Sequence, residues 1–243
     1  NLKTSPDLPL EADVIKPEYF LGKTEAEIAR LPVLLGNYRC ELGEFFNVMG
    51  SGSDEITLEG DLRHVKQIGT GMKSGRIVIY GDAGMHLGAG MQGGEIRVVG
   101  NTGDWTGAEM RGGKIHIRGN AGHGLGAAYR GSRSGMNRGL ILLEGNAGNE
   151  TGAWMRRGMI AVLGNTTDFT GAFAVAGTIL VFGSLGARAG AGMKRGTIVT
   201  CRQPDLLPTF IFDCSYRPGF LGLILMALRR EGFPIDEQWI AGN

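Results

Sequence analysis

The sequence predicts an all-β fold, a β-helix solenoid of about seven 19-residue coils with an N-terminal cap and a C-terminal helical tail. Three observations lead there. Glycine accounts for 43 of 243 residues, more than twice its usual share of about 7%. Four segments superpose without a gap: RIVIYGDAGMHLGAGMQGG (76–94), EIRVVGNTGDWTGAEMRGG (95–113), MIAVLGNTTDFTGAFAVAG (159–177) and TILVFGSLGARAGAGMKRG (178–196). Within them several independent columns of residues stay in phase, which is the signature of a repeat architecture. The stretch 114–139 and LILLEGNAGNETGAWMRRG (140–158) fit the same frame, the former with seven extra residues. A looser copy covers 56–75, and a last strand begins at Thr197.

Each unit reads as a strand, a Gly-Asn or Gly-Asp turn, a short second strand around T-G-A-x-M, and a glycine-rich turn. The inward column of the first strand is Ile77, Ile96, Ile115, Ile141, Ile160, Ile179 and Ile198. Two residues on, hence on the same strand face, lie Ile79, Val98, Ile117, Leu143, Val162 and Val181. The turn column is Asp82, Asn101, Asn120, Asn146, Asn165 and Ser184, types that tolerate sharp corners. A third column is Met72, Met91, Met110, Tyr129, Met155 and Met193, broken only at Ala174. One unit cannot bury its aliphatic side alone, whereas stacked units can. With strands about 4.8 Å apart, seven coils form a rod of roughly 30 Å. Nineteen is not a multiple of six, which favours a right-handed or irregular coil over the left-handed hexapeptide type.

Three regions follow: a capping segment over 1–55, repeats over 56–202, and a tail over 203–243. A solenoid end exposes strand edges and must be covered. Thr24-Glu25-Ala26-Glu27 reads as a capping box opening a short helix that stops near Leu31-Pro32. The stretch 33–48 reads as strands pairing with the first coil. In the tail, Pro218 and Gly232 bracket a helix, apolar nearly all round, with Arg229 and Arg230 in its last turn.

Outward strand positions change character along the rod. Early coils carry Tyr80, Arg97, His116 and Arg118, and later ones Leu142, Leu163, Leu180, Phe182 and Val199. A bare apolar face of that size calls for a cover, either the tail or another subunit. The insertion AAYRGSRSGMNRG (127–139) carries Tyr129, Arg130, Arg133 and Arg138, and repeat proteins place such insertions on the binding face. The expected interface therefore comprises Tyr129, Arg130, Arg133, Arg138, Leu142, Leu163, Leu180 and Phe182, with Phe220 and Leu221 of the helix.

A formal net charge of +1 supplies no electrostatic reason for a nucleic-acid or membrane partner. Cys40, Cys201 and Cys214 are odd in number and lack C-x-x-C spacing, so they read as free thiols. The longest apolar run, Phe220 to Leu228, is too short for a bilayer, which needs about 20 residues. No segment reads as a signal peptide, and the leader and tail read as complete; a cytoplasmic chain is expected. Catalytic patterns are absent. His64, His86, His116 and His123 have no metal-ligand spacing, and the freely varying column of His86 reads as surface. Asp104 and Asp168 share a column but stand three coils apart, too far for an acid-base pair. The glycine turns lack the lysine of a phosphate loop. Catalytic, cofactor and metal residues are accordingly expected to be none, with a stand-alone β-helix enzyme as the competing class.

The G-N-x-G-x-x-x-G-A-x-M-x-x-G unit resembles the GXGXG β-helix domain at the C-terminal end of the glutamate synthase large subunit, which is also the domain of formylmethanofuran dehydrogenase C subunits. The leader PLEADVIKPEYFLGKTEAEIARLPVLLGNYRCELGEFFNV (9–48) and the insertion AYRGSRSGM (128–136) are similar to the latter. The tail from Pro204 looks more like bacterial members from the formyltransferase/hydrolase complex of methylotrophs. This resemblance implies a structural subunit of a one-carbon enzyme that passes formyl from formyl-tetrahydromethanopterin to a methanofuran-type carrier and hydrolyses it to formate. The alternative it implies is the C subunit of a molybdenum or tungsten formylmethanofuran dehydrogenase. The implied partners are amidohydrolase-like, formyltransferase and molybdopterin-enzyme-like chains, which would hold the carrier and the metal ions.

Overall fold

Isoleucine recurring every 19 residues can be buried from all sides only if each copy sits on the next. In the computed structural model, which describes residues 1–3, 5–237 and 239, that stacking is the fold. The chain divides into two units, Asn1–Asp205 and Leu206–Asn243.

The first unit opens with β1 (Leu10–Glu11), α1 (Pro17–Phe20), α2 (Glu25–Ala29), β2 (Pro32–Leu35), β3 (Tyr38–Glu41) and α3 (Leu42–Phe45). It continues through β4 (Glu55–Glu59), β5 (Val65–Lys66), β6 (Arg76–Tyr80), β7 (Glu95–Val98), β8 (Arg111–Ile117) and β9 (Arg138–Leu143). Strands β10 (Met159–Val162), β11 (Thr178–Val181) and β12 (Thr197–Thr200) complete it. Strands β4 and β6 to β12 form one eight-stranded parallel sheet in chain order. Its register sets Ile56 on Ile77, then Ile96, Ile115, Ile141, Ile160, Ile179 and Ile198. Ile77, Ile96, Ile115, Ile141 and Ile160 are 0% exposed. A second row of parallel bridges joins Leu62, Ala83, Thr102, Ala121, Ala147 and Thr166 across the turn.

The corner between these two rows is held by side-chain acceptors. Each turn residue offers Oδ1 to the backbone N–H of its counterpart one coil on: Asp82 to Asn101 at 2.7 Å, then Asn101 to Asn120, Asn120 to Asn146, Asn146 to Asn165 and Asn165 to Ser184, each at 2.8 Å. A second such ladder runs through the column that sequence reading left without a role. Asp104 accepts from His123 N–H at 2.7 Å, His123 Nδ1 from Asn149 N–H at 2.9 Å, and Asp168 from Ala187 N–H at 2.9 Å. His123 is thus an acceptor in a structural ladder.

Three expectations need correction. The buried methionine column holds Met136 in place of Tyr129: Met72, Met91, Met110, Met136 and Met155 are all 0% exposed. Asn137 N–H donates to Met110 O, and Arg156 N–H to Met136 O, so Met136 occupies the coil position. The insertion enters before the methionine, which keeps the thioether in the dry column and sends the phenol outside, where its hydroxyl finds a partner. Residues 33–48 pair with one another and with β1, β2 lying between β3 and β1, and α3 follows; the first coil is reached instead by β1, through β5, and by the backbone of Leu2 and Ile15. His86 is half-buried and bonded instead of lying free on the surface. The capping box at Thr24 and Glu27 is present, and α4 (Gly219–Arg230) in the second unit follows Pro218. Among the described residues no helix is long and apolar enough to cross a membrane.

On the outer face of the early strands the charges neutralise one another. Glu95 lies within 2.9 Å of Arg76 and within 2.8 Å of both Arg97 and Lys114. Burial pushes its carboxyl upward, but the hydrogen bonds from Lys114, Arg97 and Arg76 outweigh burial and hold it at about 2 against an ordinary 4.5. A depressed carboxylate stabilises the fold above its unfolded value, and that contribution is lost as pH falls through the folded one. Glu95→Gln is expected to lower unfolding free energy by about 1–2 kcal/mol at neutral pH, and to flatten the acid limb of stability between pH 4.5 and 2. Urea unfolding across that window checks it.

Gly126 shows what the T-G-A corner demands. Its φ is +66°, and a Cβ there would stand 2.7 Å from Ile160 Cδ1 and 3.2 Å from Ile141 Cδ1. Gly90 has a similar φ of +63° but open space around it. Gly126→Ala should therefore cost about 2–4 kcal/mol, and Gly90→Ala only about 1 kcal/mol. Equal losses in denaturant unfolding would contradict the assigned packing.

Candidate functional site

Several positions in each coil take the left-handed backbone conformation, and two of these columns carry side chains and build one long corner. In the first column φ lies between +59° and +66° at Gln67, His86, Trp105, Glu150, Phe169 and Arg188. Four residues on, Glu109, Trp154 and Phe173 take φ of +53°, +61° and +57°, where other coils use Gly71, Gly90 and Gly192. A side chain held there costs about 1–2 kcal/mol relative to glycine. Large aromatics at such places are retained for what the side chains do.

Trp105, Trp154 and Phe169 pack on buried Ala127, Ala153 and Ala172, forming an apolar cluster separate from the solenoid core. Trp154 stacks on Phe173 with centroids 4.7 Å apart and planes at 15°. Phe173 remains 47% exposed. The guanidinium of Arg188 lies 5.3 Å from the Phe169 ring. The result is an aromatic ridge along the late coils.

The insertion folds back over this corner. Tyr129 Oη is 2.9 Å from His86 Nδ1, and its ring is 5.3 Å from that of Trp105. Burial and the Lys66 charge push the His86 imidazole below its usual range. Burial and the Glu109 charge push the Tyr129 phenol up. Both stay neutral at neutral pH, so the pair pins a loop without a charge relay. A cavity of about 220 Å³ opens between the loop residues Tyr129 and Arg130 and the aromatics Trp154, Phe169 and Phe173. Among the described residues no three histidine, cysteine or acidic side chains cluster as a metal site.

Beside the ridge runs a basic edge. Arg111, Arg138, Arg156, Arg157, Lys194 and Arg195 are exposed in the turns that follow the methionine column. Arg133 of the insertion places its guanidinium 6.0 Å from the Trp154 ring, and Arg156 Nη2 donates to Arg133 O at 3.4 Å.

The expected interface residues fall into separate places. Tyr129 is half-buried on His86, whereas Arg130, Arg133 and Arg138 are exposed beside the ridge. Leu142 and Leu180 lie in register with Ala161 and are buried, at 0% and 1% exposure. Leu163 and Phe182 are half-buried. In the second unit Phe220 is exposed and Leu221 half-buried, and Phe220, Leu223 and Met226 make an exposed apolar stripe on α4. Sequence reading missed Trp154, Phe173 and Arg156. It also missed the segment before α4, where Ile211, Phe212 and Tyr216 are 88%, 82% and 69% exposed. An aromatic standing in a column that is glycine in Gly71, Gly90 and Gly192 was the available signal for the first two.

No family model matches the chain. Over 87 residues, 35% of this chain, it is 46% identical to the C subunit of molybdenum-containing formylmethanofuran dehydrogenase 1 from Methanothermobacter marburgensis. It is 45% identical to the corresponding protein of Methanosarcina barkeri, and 43% identical to the C subunit of tungsten-containing formylmethanofuran dehydrogenase 2 from Methanothermobacter wolfeii, each over 90 residues and 35% of this chain. The matches span 22%, 30% and 33% of those relatives' lengths. The fold superposes with a TM-score of 0.91 and 32% identity on a chain in the crystal structure of the formyltransferase/hydrolase complex (FhcABCD) from Methylorubrum extorquens in complex with methylofuran, covering 98% of this chain and 89% of that one. The chain belongs to the family of formylmethanofuran dehydrogenase C subunits, to which its likeness to those subunits and to a chain of the formyltransferase/hydrolase complex assigns it.

Proposed function

We propose that this chain is a non-catalytic scaffold subunit of a multi-subunit formyltransferase/hydrolase, which moves formyl from formyl-tetrahydromethanopterin to a methanofuran-type carrier and releases formate. The observation that carries this reading is the 98% coverage at 32% identity by a chain of such a complex. The second unit makes up about a sixth of the chain, so that coverage extends into it. The 46% identity to the C subunit of a molybdenum formylmethanofuran dehydrogenase favours a second reading, the same scaffold role in a reducing complex.

In the first reading the partners are amidohydrolase-like, formyltransferase and molybdopterin-enzyme-like chains in the cytoplasm, and these hold the carrier and the metals. The scaffold contacts them through the exposed members of the insertion, Arg130, Arg133 and Arg138, and through Phe220 and its apolar neighbours in the second unit. Twelve residues there, Leu206–Arg217, lack regular structure and expose Phe210, Ile211, Phe212 and Tyr216. Exposed apolar surface of that extent marks an interaction site.

Co-expression with the other subunits is the test. The chain is expected to purify in a stable complex with transferase and hydrolase activity, and Ile211→Asp with Phe212→Asp to weaken assembly at least tenfold. Replacing His86, His116 and His123 by Ala should leave turnover per assembled complex within about twofold, since no catalytic role is assigned to them. A monomer without affinity for those subunits, or a large loss of turnover in an intact complex, would overturn the proposal.

A further inference from the structure

The basic edge differs from the charged cluster on the outer strand face of the first unit. On the strand face, Arg76, Arg97 and Lys114 share Glu95, and His116 meets Glu144 at 2.8 Å. Arg111, Arg138, Arg156, Arg157, Lys194 and Arg195 make no ion pair among the described residues. The fold also sets Arg111 directly opposite Arg138 in the pairing of β8 with β9. Like charges across a strand pair oppose folding, so the chain carries an electrostatic cost here that an anion would relieve.

The shape of the edge narrows what that anion is. From the coil of Arg111 to that of Lys194 there are four steps, or about 19 Å at strand spacing, the length of about six residues of extended chain. The cations come from four of the five coils spanned, with Val175 and Ala176 at the corresponding positions of the coil before Lys194, and the parallel stacking sets them along one line. Before Arg111 the line stops, because the preceding coil carries uncharged Gln92 in the same column; one coil earlier the Glu18 carboxylate accepts from the backbone N–H of Lys73. Along its flank stand Trp154 and Phe173, with an open apolar cavity beneath the Arg130 loop. A line of guanidinium forks beside an aromatic ridge fits carboxylates alternating with apolar side chains on one extended peptide. A folded nucleic-acid duplex would need a broader basic surface than this single row, and the chain's net charge is only +1.

We propose that the basic edge and the Trp154–Phe173 ridge dock an extended acidic segment of a partner subunit. This rests on the reading of the chain as a subunit of a multi-subunit assembly and names the chemistry of one contact within it. Arginine supplies most of the edge because its planar fork binds carboxylates in pairs. The insertion adds Arg130 and Arg133 to the same side.

The experiment uses the assembled complex with the full chain in three forms. These are wild type, R111E/R138E/R156E/R157E, and the charge-conserving R111K/R138K/R156K/R157K. The glutamate form should assemble at least about tenfold more weakly, and lose most of the salt dependence seen in the wild type. An unchanged melting curve for that form separates lost contact from lost fold. The lysine form should assemble and, on carbodiimide activation, give zero-length cross-links from the introduced amines and from Lys194 to consecutive Asp or Glu residues of one partner subunit. Equal affinity and salt dependence for all three forms would overturn the proposal, as would cross-links confined to this chain. So would loss of the difference between forms on nuclease treatment, which would assign the edge to nucleic acid. A wild-type chain that does not assemble at all removes the functional reading beneath the proposal, an outcome distinct from assembly that ignores the edge.

Discussion

The isoleucine ladder from Ile56 to Ile198 is the interaction on which the rest of the first unit depends. A side chain stacked on its own kind in coil after coil fixes the register, so corners must close on the same positions each time and extra residues must loop out of the coil. The Asn-to-backbone acceptor ladder and the left-handed pair in each T-G-A-x-M segment supply that closure. Glycine is demanded where the corner touches the ladder, as at Gly126, and becomes optional where the corner faces outward. Those outward positions are where aromatic residues replace it.

This explains why the extra seven residues lie where they do. An insertion inside the ladder would break register for every later coil. Placed between Ala128 and Met136, it leaves Met136 in the buried column and spends its length outside. Tyr129 then returns to His86 and Trp105, fixing the loop over the corner. A rigid rod with one pinned loop, an aromatic ridge and a basic edge can hold partners at set distances, because its own coils have no second arrangement to adopt.

Periodic features were legible in the sequence. The isoleucine column, the turn column, the capping box at Thr24 and the helix after Pro218 all follow from rules of local geometry, and the structure contains each. What sequence reading misplaced depended on choices among equivalent alignments or on contacts far along the chain. Tyr129 fitted the methionine frame if the insertion followed it, and only three-dimensional stacking distinguishes that from the frame using Met136. His86 read as surface because its column varies. That column varies because each coil solves its own outward corner, and the Tyr129 cover comes from 43 residues away. Leu142 and Leu180 read as a face to be covered by the tail or by another subunit, and they are buried in the chain itself. The exposed Phe210–Phe212 segment gave no periodic signal, since it belongs to no repeat.

The central claim is that the coils form an invariant rod and that function lies in the surfaces it presents. Hydrogen exchange on the full chain, alone and in the assembled complex, tests this most directly. Between Leu206 and Arg217 the only backbone hydrogen bond donated to another of the described residues is from Phe210 to Leu207, so these amides should exchange freely in the isolated chain. On assembly they should gain strong protection, as should amides around Tyr129–Ser134, while amides of the isoleucine ladder stay equally slow in both states. Protection gained mainly within the ladder, with Leu206–Arg217 unchanged, would contradict the account.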